Sequence, residues 1–63
     1  MPFVKIEMFA GRTTEQKAAL VASVTAAVSQ SIACPPEAVW ISISENSKEN
    51  WGPGGQLASA KSP

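Results

Sequence analysis

Histidine is absent from this 63-residue chain, and cysteine occurs once. The first absence removes the imidazole on which familiar zinc sites depend, and the second rules out an internal disulfide. A domain of this size buries only about 60% of its unfolded surface. With no covalent or metal staple, self-association is the remaining route to a sufficient core. An excess of charge of either sign is also missing. Five basic and five acidic side chains cancel, so no basic field exists to hold a nucleic acid. No run approaches the roughly 18 apolar residues that span a bilayer, and no cationic stretch followed by a long apolar one opens the chain. No internal repeat or low-complexity tract is found. The expectation is one cytoplasmic domain over residues 1–63, with no metal, no nucleic-acid partner and no membrane partner. Cys34 reads as a small buried thiol and not as a nucleophile.

What is present is periodicity. Val4, Ile6 and Met8 alternate with Phe3, Lys5 and Glu7, which predicts a strand over residues 3–9 with one dry and one mixed face. Gly11 breaks the run. Thr13 and Gln16 form a Thr-x-x-Gln capping box, opening a helix expected over 14–33. Leu20, Val24, Ala27, Val28 and Ile32 recur there at spacings of three and four, with Lys17, Ser23 and Gln30 mostly off that stripe. Pro35 and Pro36 are expected to close the helix, since neither donates a backbone hydrogen bond. Val39, Ile41 and Ile43 alternate with Trp40, Ser42 and Ser44, predicting a second strand.

The order strand, helix, strand predicts an α+β unit: two parallel neighbours, a right-handed crossover, and the helix over one face. The other face, carrying Phe3 and Trp40, has no cover within the chain. A two-stranded sheet with one helix does not support itself, so another subunit is expected on that face. The stretch from Glu45 to Gly55 reads as a polar loop and a turn-rich segment forming a short C-terminal hairpin. Gly54 and Gly55 lack the Lys-Ser/Thr sequel of a phosphate loop.

Four features carry a resemblance across nearly the whole chain. They are Met1-Pro2, Gly11-Arg12 after the first strand, Thr14-Glu15-Gln16-Lys17 opening the helix, and the late Trp51-Gly52-x-Gly54-Gly55-x-Leu57-Ala58-Ser59. The sequence resembles the 4-oxalocrotonate tautomerase family. That resemblance implies a β-α-β subunit that pairs into four-stranded sheets and assembles as a homohexamer, with active sites built from neighbouring chains. It implies a keto-enol tautomerase, an isomerase of the kind used in aromatic hydrocarbon catabolism. Such an enzyme moves a proton along a conjugated dienol or 2-keto acid and needs no cofactor.

On this resemblance Pro2 is the catalytic base and acid once Met1 has been removed, because an amide nitrogen has no basic lone pair. A free α-amine has a reference pKa of about 8, much nearer neutrality than that of Lys, and a base near the working pH is the useful one. Arg12 corresponds to the family's binder of the substrate carboxylate and adjoining oxygen. Its planar fork suits a carboxylate, and its charge stabilises the dienolate. A bland reading makes Arg12 a surface cation near a helix start, where it opposes the helix dipole. Trp51 stands where the family carries Phe, on the wall that excludes water, or else anchors an interface. Phe9 is expected to offer its backbone N–H to the substrate.

Trp40 departs from the pattern, standing where the best-known members carry a second Arg. Loss of one buried charged contact costs on the order of 2 to 5 kcal/mol, and Trp offers one indole donor and no charge. Three readings follow. The chain is a tautomerase for a monocarboxylate enol stacked near Trp40 or Trp51; it is one half of a heterohexamer whose partner supplies the missing Arg; or it is a noncatalytic packing or binding subunit. Lys5 is a further basic residue that could rescue dicarboxylate binding. A dehalogenase or hydratase role is the weaker alternative, because Glu45 and Glu49 read as solvated loop charges and not as activators of water.

Overall fold

The computed structural model describes residues 2–61. Strand β1 covers Phe3–Phe9, with Val4, Ile6 and Met8 half-buried and Phe3, Lys5, Glu7 and Phe9 exposed, as the alternation predicts. Gly11 then takes a φ of 122°, in the region that favours glycine. Helix α1, Thr14–Ile32, follows at once. The Thr13 hydroxyl accepts from the Gln16 N–H at 3.0 Å, and the Thr13 N–H donates to Gln16 Oε1 at 2.9 Å. The capping box thus satisfies two orphan donors.

The end of α1 differs from expectation in its cause. Ala33 turns left-handed, at φ 56 and ψ 49. Beyond it, the Cys34 N–H reaches back to the Ser29 carbonyl at 3.2 Å, and the Ser29 hydroxyl donates to the Cys34 carbonyl. The stop is a left-handed cap of the kind usually given to Gly, and the prolines come after it. Pro36 opens a short 3-10 turn, Pro36–Ala38. Cys34 itself is half-buried, because this cap lies at the edge of the helix and not beneath it.

Strand β2, Trp40–Asn46, runs parallel to β1. Its register sets Phe3 opposite Trp40, Ile6 opposite Ile43 and Met8 opposite Glu45. Ile41, Ile43 and Glu45 therefore share a face with Val4, Ile6 and Met8, while Trp40, Ser42 and Ser44 share the other with Phe3, Lys5 and Glu7. Glu45 is a strand residue and not a loop charge: its Oε1 lies 3.0 Å from Lys17 Nζ of α1. That pair corrects the expected stripe. The half-buried positions of α1 run through Lys17, Leu20, Val21, Val24, Thr25, Val28 and Ser29, leaving Ala27 and Ile32 exposed.

The C-terminal segment is a second correction. The expected hairpin folds back, with Ala58 N–H to Trp51 carbonyl and Ser59 N–H to Lys48 carbonyl each 2.9 Å. It ends in a four-residue helix, α2, Ala58–Lys61, and adds no strand to the two-stranded sheet. The turn stretch is too short and too rich in glycine to sustain a ladder.

None of the described residues is fully buried, and Phe3 and Trp40 remain 66% and 58% exposed. The chain exposes 4625 Å², against roughly 3,900 Å² for a compact chain of its mass. Its radius of gyration is 14.7 Å, where a compact fold of this length has about 10.6 Å. The molecule is a flat slab, 42 × 25 × 14 Å. No helix among the described residues is long and apolar enough to cross a membrane.

Candidate functional site

The five residues singled out in the sequence fall into two groups at opposite ends of the sheet. At one end lies Pro2, whose carbonyl accepts the Trp40 N–H at 3.1 Å. Pro2 is half-buried, and Trp40 is exposed beside Phe3 on the face away from α1. Lys5 sits further along that face, opposite Ser42, and brings a cation to the sheet surface.

At the other end, the rings of Phe9 and Trp51 meet edge to face, with centroids 5.1 Å apart and planes at 77°. This is the geometry that aromatic quadrupoles favour. Phe9, Trp51, Gly52, Pro53 and Ala58 line an apolar cleft of about 340 Å³. Lys48 Nζ stands 5.9 Å from the centre of the Phe9 ring, within cation–π range. The indole N–H of Trp51 is enclosed and has no acceptor among the described residues.

Arg12 follows the same end of β1. It lines a second cavity, of about 190 Å³, with Met8, Gln16, Lys17 and Leu20. Its guanidinium is exposed and enters no hydrogen bond or ion pair among the described residues. Lys17 in the same cavity is held by Glu45, and the carboxamide oxygen of Gln16 is taken by the helix cap. The cavity therefore presents one unengaged cation with five donors, a fit for a single carboxylate.

β1 is seven residues long, and a rise of about 3.3 Å per residue separates its ends by ~20 Å. One chain does not bring Pro2 and Arg12 together. Sequence reasoning missed Lys17, Gln16, Met8 and Leu20 around Arg12, and Gly52, Pro53 and Ala58 beside Trp51. Glu45 continues the alternation of Ile41 and Ile43 onto the helix face, but only the fold shows that it meets Lys17 there. Among the described residues no three Cys, Asp or Glu side chains cluster to hold a metal ion.

A family model described as tautomerase enzyme matches residues 2–61. The chain belongs to the tautomerase family. A Bacillus cereus protein named as a probable tautomerase is 46% identical over 61 residues, covering 97% of this chain and all of the relative. A 2-hydroxymuconate tautomerase of Pseudomonas putida is 41% identical over 59 residues, 94% of each chain. Among solved structures, a 4-oxalocrotonate tautomerase isozyme from Methylibium petroleiphilum superimposes with a TM-score of 0.90 at 42% identity, covering 98% of this chain and 100% of the other. A heterohexamer 4-oxalocrotonate tautomerase from Chloroflexus aurantiacus gives 0.88 at 34% identity, covering 94% and 95%. The β-α-β subunit with its parallel pair is thus the tautomerase fold.

Proposed function

We propose that this tautomerase isomerises a 2-hydroxydienoate or related enol of a 2-keto acid, with Pro2 as the proton-transfer group. With Met1 removed, the neutral secondary amine of Pro2 takes the enol proton, and the resulting ammonium returns a proton to a distant carbon of the same conjugated chain. The electron pair moves from the O–H bond into a C=O bond, and the double bonds shift along. Arg12 holds the carboxylate and stabilises charge on the adjoining oxygen during transfer. Phe9 and Trp51 form the apolar wall that keeps water from the amine.

The observation that carries this reading is that an unengaged Arg12 and the Phe9–Trp51 cleft both lie at the end of β1 opposite Pro2. A site that uses both residues takes Pro2 from one chain and Arg12 from another. The excess exposed surface supports such an assembly: about 700 Å² over a compact chain is close to the ~800 Å² that one partner gives to a standard interface. So do Phe3 and Trp40, left open on the sheet face.

The substrate favoured is a monocarboxylate. Arg12 is the one unengaged cation of its cavity, and Trp40 beside Pro2 brings a ring in place of a charge. The second reading, a heterohexamer in which a companion chain supplies the missing cation, is supported by the likeness to the Chloroflexus aurantiacus heterohexamer.

The test begins with intact mass, which is expected to show Pro2 as the amino terminus. Turnover of the purified protein is then measured on matched mono- and dicarboxylate dienols. Preference for the monocarboxylate is expected, and Pro2→Ala should lower kcat by about 10² to 10⁴, the range of general acid–base catalysis. Normal turnover by Pro2→Ala would remove the mechanism, and activity only after addition of a companion chain would favour the heterohexamer.

A further inference from the structure

We infer that Glu45 is a specificity-determining residue: by holding Lys17 it limits the Arg12 cavity to one carboxylate. The inference rests on the proposed role of Arg12 as carboxylate binder and adds the group that sets how many carboxylates the site accepts. Arg12 and Lys17 line one cavity of about 190 Å³, so the cavity is built with two cations. Lys17 Nζ is engaged by Glu45 Oε1 at 3.0 Å, and Arg12 is not engaged. Two positive charges thus line the space, from α1 and the loop before it, and one negative charge from β2 engages one of them.

The position of Glu45 follows from the sheet. In the parallel register it stands opposite Met8, the strand residue that lines the same cavity. A carboxylate there interrupts the apolar face formed by Val4, Ile6, Ile41 and Ile43, where the alternation otherwise places aliphatic side chains. The Lys17 and Glu45 side chains keep 30% and 34% exposure, so the pair adds little to stability. What it changes is charge. Without Glu45, the four-carbon stem of Lys17 leaves its ammonium free to meet a second carboxylate near Arg12.

The experiment compares binding of two unreactive dienoates, muconate and sorbate, by calorimetry. They share a six-carbon diene, and sorbate carries a methyl in place of the second carboxylate of muconate. In Glu45→Gln, affinity for muconate should rise relative to sorbate by about three- to fivefold, the range of one partly exposed ion pair. In the double variant Glu45→Gln/Lys17→Met the gain should vanish. Lys17→Met alone should leave the muconate-to-sorbate ratio where it stands in the parent protein, since Glu45 already holds that ammonium.

Equal changes for both ligands in Glu45→Gln would overturn the inference, as would a gain that survives in the double variant. Selective loss of muconate in Lys17→Met alone would overturn it too, and does not depend on Glu45→Gln folding. Arg12→Ala separates the two levels of argument. Loss of sorbate binding in Arg12→Ala with a flat ratio in Glu45→Gln removes only the role of Glu45, whereas retained sorbate binding in Arg12→Ala removes the Arg12 site itself.

Discussion

Pro2 and Arg12 flank opposite ends of β1, and those ends are ~20 Å apart by the rise of an extended strand. No side-chain rotation closes that gap, so a site that needs both must draw them from two subunits. The consequence is a complementation experiment.

Pro2→Ala and Arg12→Ala should each be nearly inactive alone. Mixed after co-refolding at equal amounts, they should regain about a quarter of the parent activity, because in a symmetric oligomer with random assembly one site in four combines an intact Pro2 with an intact Arg12. Steady-state turnover of the mixture checks this. No recovery, with mixed oligomers shown by mass spectrometry, would mean that the two residues act within one chain or not at all.

The open sheet face leads to the next expectation. Phe3 and Trp40 pair across the strands and stay 66% and 58% exposed, while none of the described residues is fully buried. Phe3→Glu should shift the protein toward monomer in sedimentation velocity and lower its helical circular dichroism with it. The parent's thermal midpoint should rise with protein concentration, as it does when folding and association are linked. A monomeric, fully folded Phe3→Glu protein would show that the chain is stable without a partner.

The sequence announces those elements whose pattern is local. Alternation marks β1 over residues 3–9, and the same alternation marks β2. The Thr13 and Gln16 side chains mark the start of α1, because a capping box is a contact between neighbours. Strand, helix and strand in that order leave parallel pairing as the short solution. What was not legible depends on conformation or on distant partners. Nothing in the letters of Ala33 announces a left-handed cap, since Gly usually takes that place. Lys17 reads as a solvated helix residue until Glu45 is known to face it from β2. The separation of Pro2 from Arg12 is fixed by the strand between them, and it follows from the sequence only once residues 3–9 are accepted as extended.

Ala33 gives a stability test of that cap. At φ 56 its Cβ crowds the following carbonyl, a cost that glycine does not bear. Ala33→Gly should therefore stabilise the protein by about 0.5 to 1 kcal/mol, the strain relieved less the added freedom of the unfolded chain. Urea melts at fixed protein concentration measure the shift. A lower midpoint in Ala33→Gly would mean that the chain leaves the left-handed cap in solution.

Gly52 tests the apolar cleft. Its missing side chain leaves room for the fold-back: a Cβ there would overlap the carbonyl oxygen of Gln56 and come within 2.6 Å of the Ala58 backbone nitrogen and 2.7 Å of the Leu57 carbonyl carbon. These are backbone atoms, so no rotamer change relieves the clash, and the segment from Trp51 to Ala58 must move. Gly52→Ala is expected to cost about 1 to 3 kcal/mol as an overpacked site and to open the cleft that Gly52 shares with Phe9 and Trp51. Turnover should fall, and Trp51 emission, read in a Trp40→Phe background, should shift to the red as its ring meets water. Gly55→Ala is the matched control, since a Cβ at Gly55 meets nothing within 4 Å and only its φ of 84° opposes the change. Strain at Gly55 should lower stability without shifting Trp51 emission in the folded protein. A red shift of equal size in both variants would show that the cleft responds to any disturbance of the tail, and not to the space that Gly52 keeps clear.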